Sequence, residues 1–301
     1  MPANHAVRFR RPWAAVSLAV AAVAGCTSEG GDDGSVALPP VHGGFDYQLG
    51  GAYTPPKGVD IVSRDRTASP ADGLYAICYV NAFQVQPGER DIWPEGLLLY
   101  DGNGDVVIDK QWKEPLLDIS TADKRKRAAA KVNGWIDGCA DKGFDAVEPD
   151  NYDSYERARG LLTTADAEAF IALLSEHAHA QGLAIAQKNT AELLPSRKKN
   201  GLDFAVVEQC GEFDECGDFA DAYDDHVVVV EYTDEGFAKA CEGWGDKLSI
   251  VRRDVDVSPV GSDAYVHETC QGAEADQQAV AAADVQSLPQ LCGTEAGMSG
   301  W

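Results

Sequence analysis

Short apolar runs alternate with longer segments over residues 45–254, and this pattern predicts eight strands separated by helices. Two of the longer segments, Ala122–Lys142 and Thr164–Gln181, carry apolar residues at helical spacing, and Gly182 is typical of a helix end. Strands that alternate with helices favour a parallel sheet covered by helices. The predicted strands are Phe45–Leu49, Val59–Asp65, Leu74–Ala82, Phe144–Asn151, Leu183–Asn189, Phe204–Cys210, Val227–Tyr232 and Leu248–Arg252.

Eight strands in this order predict an α/β fold, a (β/α)8 TIM barrel. The alternative is an open doubly wound sheet, but the Gly-rich turn expected after its first strand is missing. A small β-hairpin insertion is predicted after the third strand, at Gly96–Asp109, with its turn at Asp101–Gly104. The acidic residues of this turn resemble a calcium loop. The glycine and the distal glutamate of an EF-hand are misplaced, however, so the hairpin is the preferred interpretation.

Polar side chains collect at the C-terminal ends of the apolar runs. In a TIM barrel these ends meet at one mouth, where active sites form. We therefore predict the active site at this mouth. The strand-end residues are Asp65, Asn81, Asp150, Asn151, Lys188, Asn189, Glu208, Tyr232 and Arg252.

Carboxylates at these ends suggest acid–base chemistry. Glu148 and Asp150 share one face of a strand, with Glu148 deeper, and two close carboxylates raise one pKa, which suits a general acid. Glu208 ends an apolar run, where a carboxylate needs a partner or a function. Asp150 and Glu208 lie on the fourth and sixth strands, so they can face each other as glycosidic hydrolysis requires. The alternative is a buried network in which each pairs with a base such as Lys188 or Arg252.

Composition and charge narrow the function further. The chain has 301 residues, 45% of them hydrophobic, and a formal net charge of -24. This acidity argues against binding of nucleic acid. Residues 1–25 combine three arginines with the apolar run Trp13–Ala24, which is too short to span a bilayer and predicts a signal peptide. Its removal takes away three Arg and no acid, which moves the charge from -24 to -27.

The signal peptide ends at a junction that resembles a bacterial lipobox, with Ala24 and Gly25 before Cys26. We therefore expect lipid attachment at Cys26; the alternative is ordinary cleavage that leaves Cys26 as a thiol. Residues 26–44 are rich in Gly, Ser, Asp and Pro and predict a flexible tether. A barrel domain at 45–270 and a poorly ordered tail at 271–301 follow. The mature protein is expected to be a monomer at the bacterial cell envelope, exported and either lipid-anchored or secreted.

Eight cysteines with only two methionines indicate an oxidising compartment. A local disulfide between Cys210 and Cys216 is favoured over a metal site or a nucleophile. Lipidation of Cys26 leaves seven cysteines, so one is expected to be unpaired, and Cys270 and Cys292 are candidates to hold part of the tail. His177 and His179 lie two residues apart on a helix and give a weak case for a metal. A Gly-x-Ser-x-Gly esterase motif is absent from the sequence, and no cofactor is expected.

Several longer motifs surround the strand ends: FDYQLGG at 45–51, VDIVSRD at 59–65, YAICYVNAF at 75–83, GFDAVEPDN at 143–151, AIAQKNT at 184–190, FAVVEQCGEFDECG at 204–217, EYTD at 231–234 and LSIVRRD at 248–254. Together they resemble glycoside hydrolase family 114, the endo-α-1,4-polygalactosaminidases, over residues 45–254. The resemblance implies a (β/α)8 barrel that cleaves within α-1,4-linked galactosamine polymers without a metal or organic cofactor. It also implies catalytic carboxylates on the fourth and sixth strands, which fall on Asp150 and Glu208.

On this interpretation Asp150 is the general acid/base and Glu208 the nucleophile of a double displacement, and the two roles can be exchanged. An acidic mouth attracts the ammonium group of galactosamine. We expect Asp65, Asp153 and Asp234 to pair with the ammonium, and Tyr and Asn side chains to contact hydroxyls or stack. Lys188 is expected to orient a catalytic carboxylate and lower its pKa. The predicted substrate-binding residues are Tyr47, Asp65, Asn81, Glu148, Asp153, Lys188, Asn189, Tyr232, Asp234 and Arg252.

Two other functions fit parts of the pattern. One is a non-catalytic cell-surface protein that binds a cationic amino-sugar polysaccharide. The position of Asp150 and Glu208 distinguishes the enzyme from the binding protein. In an enzyme the two carboxylates converge on an open groove, and in a binding protein they can be locked in salt bridges. The other is deacetylation, which needs a metal site that the sequence does not suggest.

Overall fold

The computed structural model describes residues 36–270 of the chain. The predicted signal peptide, Cys26, the first part of the tether and the tail at 271–301 lie outside the described residues. Eight strands pair in parallel in chain order, and a ninth pairs antiparallel with the eighth. The strands are β1 Phe45–Gln48, β2 Ile61–Asp65, β3 Tyr75–Asn81, β4 Ala146–Asp150, β5 Ala184–Lys188, β6 Phe204–Glu208, β7 Val227–Glu231, β8 Ser249–Arg253 and β9 His267–Thr269.

Helices connect the strands, and the three longest begin at a threonine that caps them. Thr121 accepts a hydrogen bond from the backbone N–H of Lys124, and Thr163 forms a capping box with Asp166. Short 3-10 helices cover Arg90–Ile92, Glu95–Leu97 and Ala191–Ser196. The α-helices are α1 Ala122–Lys142, α2 Ser154–Arg157, α3 Thr164–Ala180, α4 Cys210–Phe213, α5 Cys216–Tyr223 and α6 Asp234–Trp244. Within residues 36–270, no helix has both the length and the apolar character needed to cross a bilayer.

The sheet curls until β8 lies beside β1, which confirms the predicted (β/α)8 TIM barrel. Alternation along the strands divides the apolar residues between two layers. One face, represented by Phe45, Ile77 and Phe204, fills the centre of the barrel. The other face packs against the helices, where Ile136 of α1 and Phe170 of α3 are fully buried.

All eight predicted strands are present, and each end agrees with the structure to within two residues. The ninth strand was not predicted, because its sequence His267–Thr269 has neither an apolar run nor clear alternation. It pairs with β8, and Cys270 beside it forms a disulfide with Cys241 of α6. The chain after Asp254 is therefore part of the barrel wall up to Cys270.

The insertion between β3 and α1 contains the predicted hairpin. Tyr100 and Val106 form an antiparallel bridge, and the carboxylate of Asp101 accepts hydrogen bonds from the backbone N–H groups of Asn103 and Asp105. The pairing consists of isolated bridges rather than regular strands. A third segment extends it, since Leu98 bridges Leu117. The insertion thus forms a compact antiparallel unit.

Three disulfides join Cys78 to Cys139, Cys210 to Cys216, and Cys241 to Cys270. The local Cys210–Cys216 bond confirms the prediction from the sequence. The other two pairings were not predicted, because residues far apart in the chain meet only in the folded barrel. Cys292, like Cys26, lies outside the described residues.

The described end of the predicted tether, residues 36–44, contacts the N-terminal end of the barrel. The hydroxyl of Tyr75 donates to the carbonyl of Ala37 at 2.8 Å, and Nδ1 of His226 lies 2.8 Å from the carbonyl oxygen of Pro39. Val36 packs against the residues that fill the barrel centre. This end of the barrel is therefore covered, and the opposite end remains available for a site.

A buried ion pair joins the first and last parallel strands. Arg253 and Asp46 are both fully buried, with Nη1 of Arg253 3.3 Å from Oδ1 of Asp46. The same guanidinium donates to the backbone carbonyls of Ser258 and Val266, both at 2.7 Å. Arg253 therefore connects β1 and β8 to the segment that leads into β9.

Replacing Arg253 is expected to weaken the closure of the barrel. Arg253→Met leaves the Asp46 carboxylate buried without its cation, which costs about 3–5 kcal/mol in the free energy of unfolding. Urea denaturation at pH 7 measures this loss. The neighbouring Arg252→Met is the control, because Arg252 pairs with the exposed Asp234 and with Glu268 and should cost less than about 1 kcal/mol. Equal losses in the two variants would contradict the role of Arg253.

Candidate active site

The strand ends bring their inward-facing polar residues together at the open end of the barrel. Every second residue of a strand lies on the same face of the sheet. Glu148 and Asp150 therefore face the barrel interior, as Ala146 does on the same strand, β4. In the same way Lys188 follows Ala186 on β5 and Glu208 follows Val206 on β6. These four side chains form the top layer of the barrel interior.

Lys188 is the centre of this layer and is almost fully buried. Its ammonium nitrogen lies 2.7 Å from Oε1 of Glu148, 3.4 Å from Oδ1 of Asp150 and 3.4 Å from Oε2 of Glu208. It also donates to the hydroxyl of Tyr47 at 3.0 Å. Burial alone favours the neutral amine, but the three carboxylates outweigh it and raise the pKa of Lys188 well above its ordinary value. The lysine is therefore a permanent cation.

Glu148 forms the floor beneath the site and is fully buried. Its carboxylate accepts hydrogen bonds from Tyr47 at 2.6 Å, Ser63 at 2.7 Å and Lys188 at 2.7 Å. Burial raises the pKa of Glu148, although Lys188 opposes this effect. With its oxygens engaged and no exposure, Glu148 holds Lys188 in place, and the predicted direct contact with substrate is not supported.

Asp150 reaches the open side of the layer, with its side chain 20% exposed. The hydroxyl of Tyr79 donates to Oδ2 of Asp150 at 2.7 Å. Burial acts to raise the pKa of Asp150, but Lys188 and the hydrogen bond from Tyr79 outweigh it, and the pKa is lowered. Asp150 is thus an accessible carboxylate that stays ionised at neutral pH.

Glu208 is the second accessible carboxylate, with its side chain 25% exposed. Tyr232 donates a hydrogen bond to Oε1, and the amide of Asn189 donates to Oε2 at 3.2 Å. The same Asn189 side chain accepts a hydrogen bond from the backbone N–H of Glu208 at 2.8 Å. Glu208 is therefore held by two neighbouring strand ends.

The chain turns sharply directly after each of the three strands that carry these groups. Asn151, Asn189 and Gln209 have φ angles of 65°, 49° and 61°, which are uncommon for residues other than glycine. Asn tolerates this left-handed conformation better than most residues. Non-glycine residues in such conformations often mark functional sites, since the surrounding structure must enforce them.

A cavity of about 650 Å³ opens above these carboxylates. Trp112 of the insertion lies on its wall with 47% of its surface exposed, as expected for an aromatic platform that stacks on a sugar ring. Acidic side chains greatly outnumber Arg157, the basic residue on the wall, so the cavity attracts cations. The acidic residues on the wall are Glu114, Asp150, Asp153, Glu208, Glu212 and Asp256.

Besides the buried Glu148 and Lys188, four of the predicted substrate-binding residues do not line the cavity. Asp65 accepts hydrogen bonds from Thr67 instead, and Asn81 is buried behind Glu114. Arg252 shares the outward face of β8 with Ile250, so it pairs with Asp234 and Glu268 outside the barrel mouth. The four residues are Asp65, Asn81, Asp234 and Arg252.

Asp153 lines the cavity but already has a partner. Both of its oxygens accept hydrogen bonds from Arg157 at 2.7 Å, and Nε of Arg157 also lies 2.7 Å from Asp109. Among the remaining predictions, Tyr47, Asn189 and Tyr232 do line the cavity.

Several site residues were missed from the sequence. Ser63 and Tyr79 occupy inward positions two residues after Ile61 and Ile77, so the strand alternation contained the signal needed to find them. Trp112 and Glu114 lie in the irregular insertion, where no periodicity indicates which side chains face the cavity. An exposed tryptophan beside a predicted barrel mouth was the available hint.

A TIM barrel with two accessible carboxylates on β4 and β6, which line an open acidic cavity, is the arrangement of a glycoside hydrolase. The model of glycoside-hydrolase family GH114 matches residues 27–275, and the chain belongs to this family. The protein is accordingly a glycoside hydrolase.

Solved structures agree with this assignment. The chain is similar to Ega3 of Aspergillus fumigatus, crystallised in complex with galactosamine, at 25% identity and a TM-score of 0.64 over 78% of this chain and 98% of that one. The glycoside hydrolase domain of PelA from Pseudomonas aeruginosa is 16% identical, with a TM-score of 0.50 over 73% of this chain and 97% of that one, and supports the fold alone. No curated protein matches the chain.

Removing the central ammonium is expected to destabilise the site in a pH-dependent way. In Lys188→Met the carboxylates repel each other and their pKa values rise above those of the unfolded chain, so the loss of stability is greatest at pH 7 and shrinks toward pH 4. We expect a loss of about 3–5 kcal/mol at pH 7 in urea denaturation. The exposed Lys199→Met, which removes a surface pair with Glu168, serves as the control. A loss that does not depend on pH would contradict the proposed electrostatics.

Proposed function

We propose that this protein is an exported, endo-acting glycoside hydrolase that cleaves α-1,4-linked galactosamine polymers with Asp150 and Glu208 as its catalytic carboxylates. The observation that carries the proposal is the arrangement around Lys188, where one buried ammonium lies 3.4 Å from each of the two accessible carboxylates. Both carboxylates pair with Lys188 but also line the open cavity and remain partly exposed, which favours catalysis over the binding protein considered from the sequence.

The lowered pKa of Asp150 favours Asp150 as the nucleophile and Glu208 as the general acid/base, which exchanges the roles first given to them. A nucleophile has to be ionised, and Asp150 is kept ionised by Lys188 and Tyr79. In this mechanism Asp150 attacks the anomeric carbon while the glycosidic bond breaks, and a glycosyl ester forms on its carboxylate.

Glu208 then has the role of acid and base. In the first step it gives its proton to the oxygen of the leaving sugar. The ionised Glu208 takes a proton from the water that hydrolyses the ester, and both carboxyl groups return to their starting states.

The separation of the two carboxylates is compatible with retention of configuration. Their oxygens nearest to Lys188 both lie 3.4 Å from its nitrogen atom, so these two oxygens cannot be more than twice that distance apart. Retaining enzymes have carboxyl groups about 5–5.5 Å apart, whereas inverting enzymes need about 6.5–9.5 Å to admit a water molecule. The limit admits the spacing of a double displacement and excludes most of the inverting range.

Two observations support galactosamine as the sugar. The structure of Ega3 that resembles this chain was determined in complex with galactosamine. Galactosamine with a free amine is a cation at neutral pH, and six acidic side chains on the cavity wall attract it. Trp112 offers a stacking surface for a sugar ring of the same polymer.

The catalytic proposal is tested by incubating the mature protein with α-1,4-galactosamine oligomers and following chain length by mass spectrometry. Shorter oligomers are expected from the wild type. Asp150→Asn and Glu208→Gln are each expected to lower kcat by about 10³-fold or more. The control is Asp153→Asn, which removes a cavity carboxylate that already has Arg157 as its partner. Intact oligomers with folded wild-type protein would refute the hydrolase activity, and products from either catalytic variant at the wild-type rate would refute the assignment.

We further propose export and lipid attachment at Cys26. The three disulfides support an oxidising compartment. Expression of the full chain in bacteria followed by fractionation tests this proposal: the wild type is expected in the membrane fraction, and Cys26→Ser is expected to leave it. The same distribution for both proteins would contradict the lipid anchor.

A further inference from the structure

The carboxylates expected to bind the sugar ammonium are not available for it. Asp65 and Asp234 lie outside the cavity, and Asp153 is occupied by Arg157. Asp150 and Glu208 are needed for the reaction. If the substrate is cationic, another group has to recognise the ammonium.

Glu114 has the geometry that this task requires. Its side chain lines the cavity and is only 8% exposed, so it is fixed and largely dehydrated. One oxygen, Oε2, accepts a hydrogen bond from Asn81 at 2.9 Å. The other oxygen has no hydrogen-bond partner among residues 36–270, and it is not enclosed by protein. Glu114 thus presents one unpaired carboxylate oxygen to the cavity.

The Glu114 side chain is held close to the reaction centre. Asn81, which holds Glu114, ends β3 opposite Asp150 in the register of β3 and β4. The amine of galactosamine is on C2, one bond from the anomeric carbon that the catalytic carboxylates act on. An ammonium bound at Glu114 is therefore compatible with an anomeric carbon placed near Asp150.

Glu114 has no direct ion pair among residues 36–270. The charge of Arg157 acts to lower the pKa of Glu114, but the guanidinium itself is bound by Asp109 and Asp153. Burial raises the pKa of Glu114 to about 7, the hydrogen bond from Asn81 opposes this, and the charges of Asp150 and Asp109 add to it. A cation that binds here relieves this repulsion.

We propose that Glu114 is the specificity residue that binds the ammonium group of a galactosamine unit and so distinguishes the free amine from its N-acetylated form. The inference rests on the proposed function and names its chemical selectivity. A protonated amine gains a charge-assisted hydrogen bond to Glu114. An N-acetyl group is neutral, so it gains no such attraction from Glu114.

The test compares two substrates and matched variants. Glu114→Gln keeps the size of the side chain and an oxygen to accept from Asn81, but removes the charge. We expect kcat/KM for galactosamine oligomers to fall about 10- to 100-fold, with little change for N-acetylated oligomers. Glu235→Gln is the control, because Glu235 is exposed and does not line the cavity, and the change for both substrates should remain below about threefold. Trp112→Ala is expected to lower kcat/KM for both substrates by a similar factor, since stacking does not depend on the amine.

An equal loss for the two substrates in Glu114→Gln, or an equal selectivity change in Glu235→Gln, would overturn the proposal. A binding measurement separates this failure from failure of the proposed function. In the Glu208→Gln background, which prevents cleavage, calorimetry with a galactosamine tetramer is expected to show weaker binding when Glu114→Gln is added. If the wild type cleaves neither substrate but this loss of binding is seen, the hydrolase proposal fails and the ammonium site stands.

A second measurement does not depend on the folding of a Glu114 variant. At pH 6 Glu114 is mostly protonated, so binding of the ammonium should release a proton. Calorimetry of the tetramer on Glu208→Gln in two buffers of different ionisation enthalpy should detect a release approaching one proton, and none with the N-acetylated tetramer. Absence of proton release with the galactosamine tetramer would contradict the site.

Discussion

The site depends on one buried ammonium group placed among three carboxylates. Without Lys188, the charges of Glu148, Asp150 and Glu208 could not lie together in the dehydrated end of a barrel, because burial and mutual repulsion would force protons onto them. With it, the deepest carboxylate anchors the lysine while two others remain exposed to the cavity. Depth in the barrel separates the supporting carboxylate from the reacting ones. Glu148 is fully buried, whereas the side chains of Asp150 and Glu208 are partly exposed to the cavity.

The hydroxyl groups of three tyrosines complete this arrangement. Tyr47 donates to Glu148, Tyr79 to Asp150 and Tyr232 to Glu208. Burial raises the pKa of each tyrosine well above its ordinary value, so the hydroxyls stay protonated and can only act as donors toward the carboxylates. Every carboxylate in the layer thus has its own fixed donor, which orients it without the need for water. Such preorganisation is what stabilises developing charge in a reaction.

The strands carried enough sequence information to predict the barrel and the positions of Asp150, Glu208 and Lys188, because alternation and the parallel arrangement place strand ends at one mouth. Arg252 was wrongly placed there, although its shared face with Ile250 indicated an outward position. Glu114 was beyond prediction, since the irregular insertion has no period and its contact with Asn81 exists only after folding. The pairing of Cys241 with Cys270 could not be predicted either, because these residues meet only after folding. Contacts between distant, irregular segments depend on three-dimensional packing that local patterns do not encode.

The central claim is that Lys188 keeps Asp150 ionised so that it attacks the sugar. It is tested most directly by trapping the covalent intermediate with a slow galactosamine fluoride that carries a second fluorine at C5, followed by proteolysis and mass spectrometry. The account predicts one sugar attached to the peptide that contains Asp150, and loss of labelling in Asp150→Asn. A label on Glu208, or turnover with inverted configuration and no covalent adduct, would contradict it.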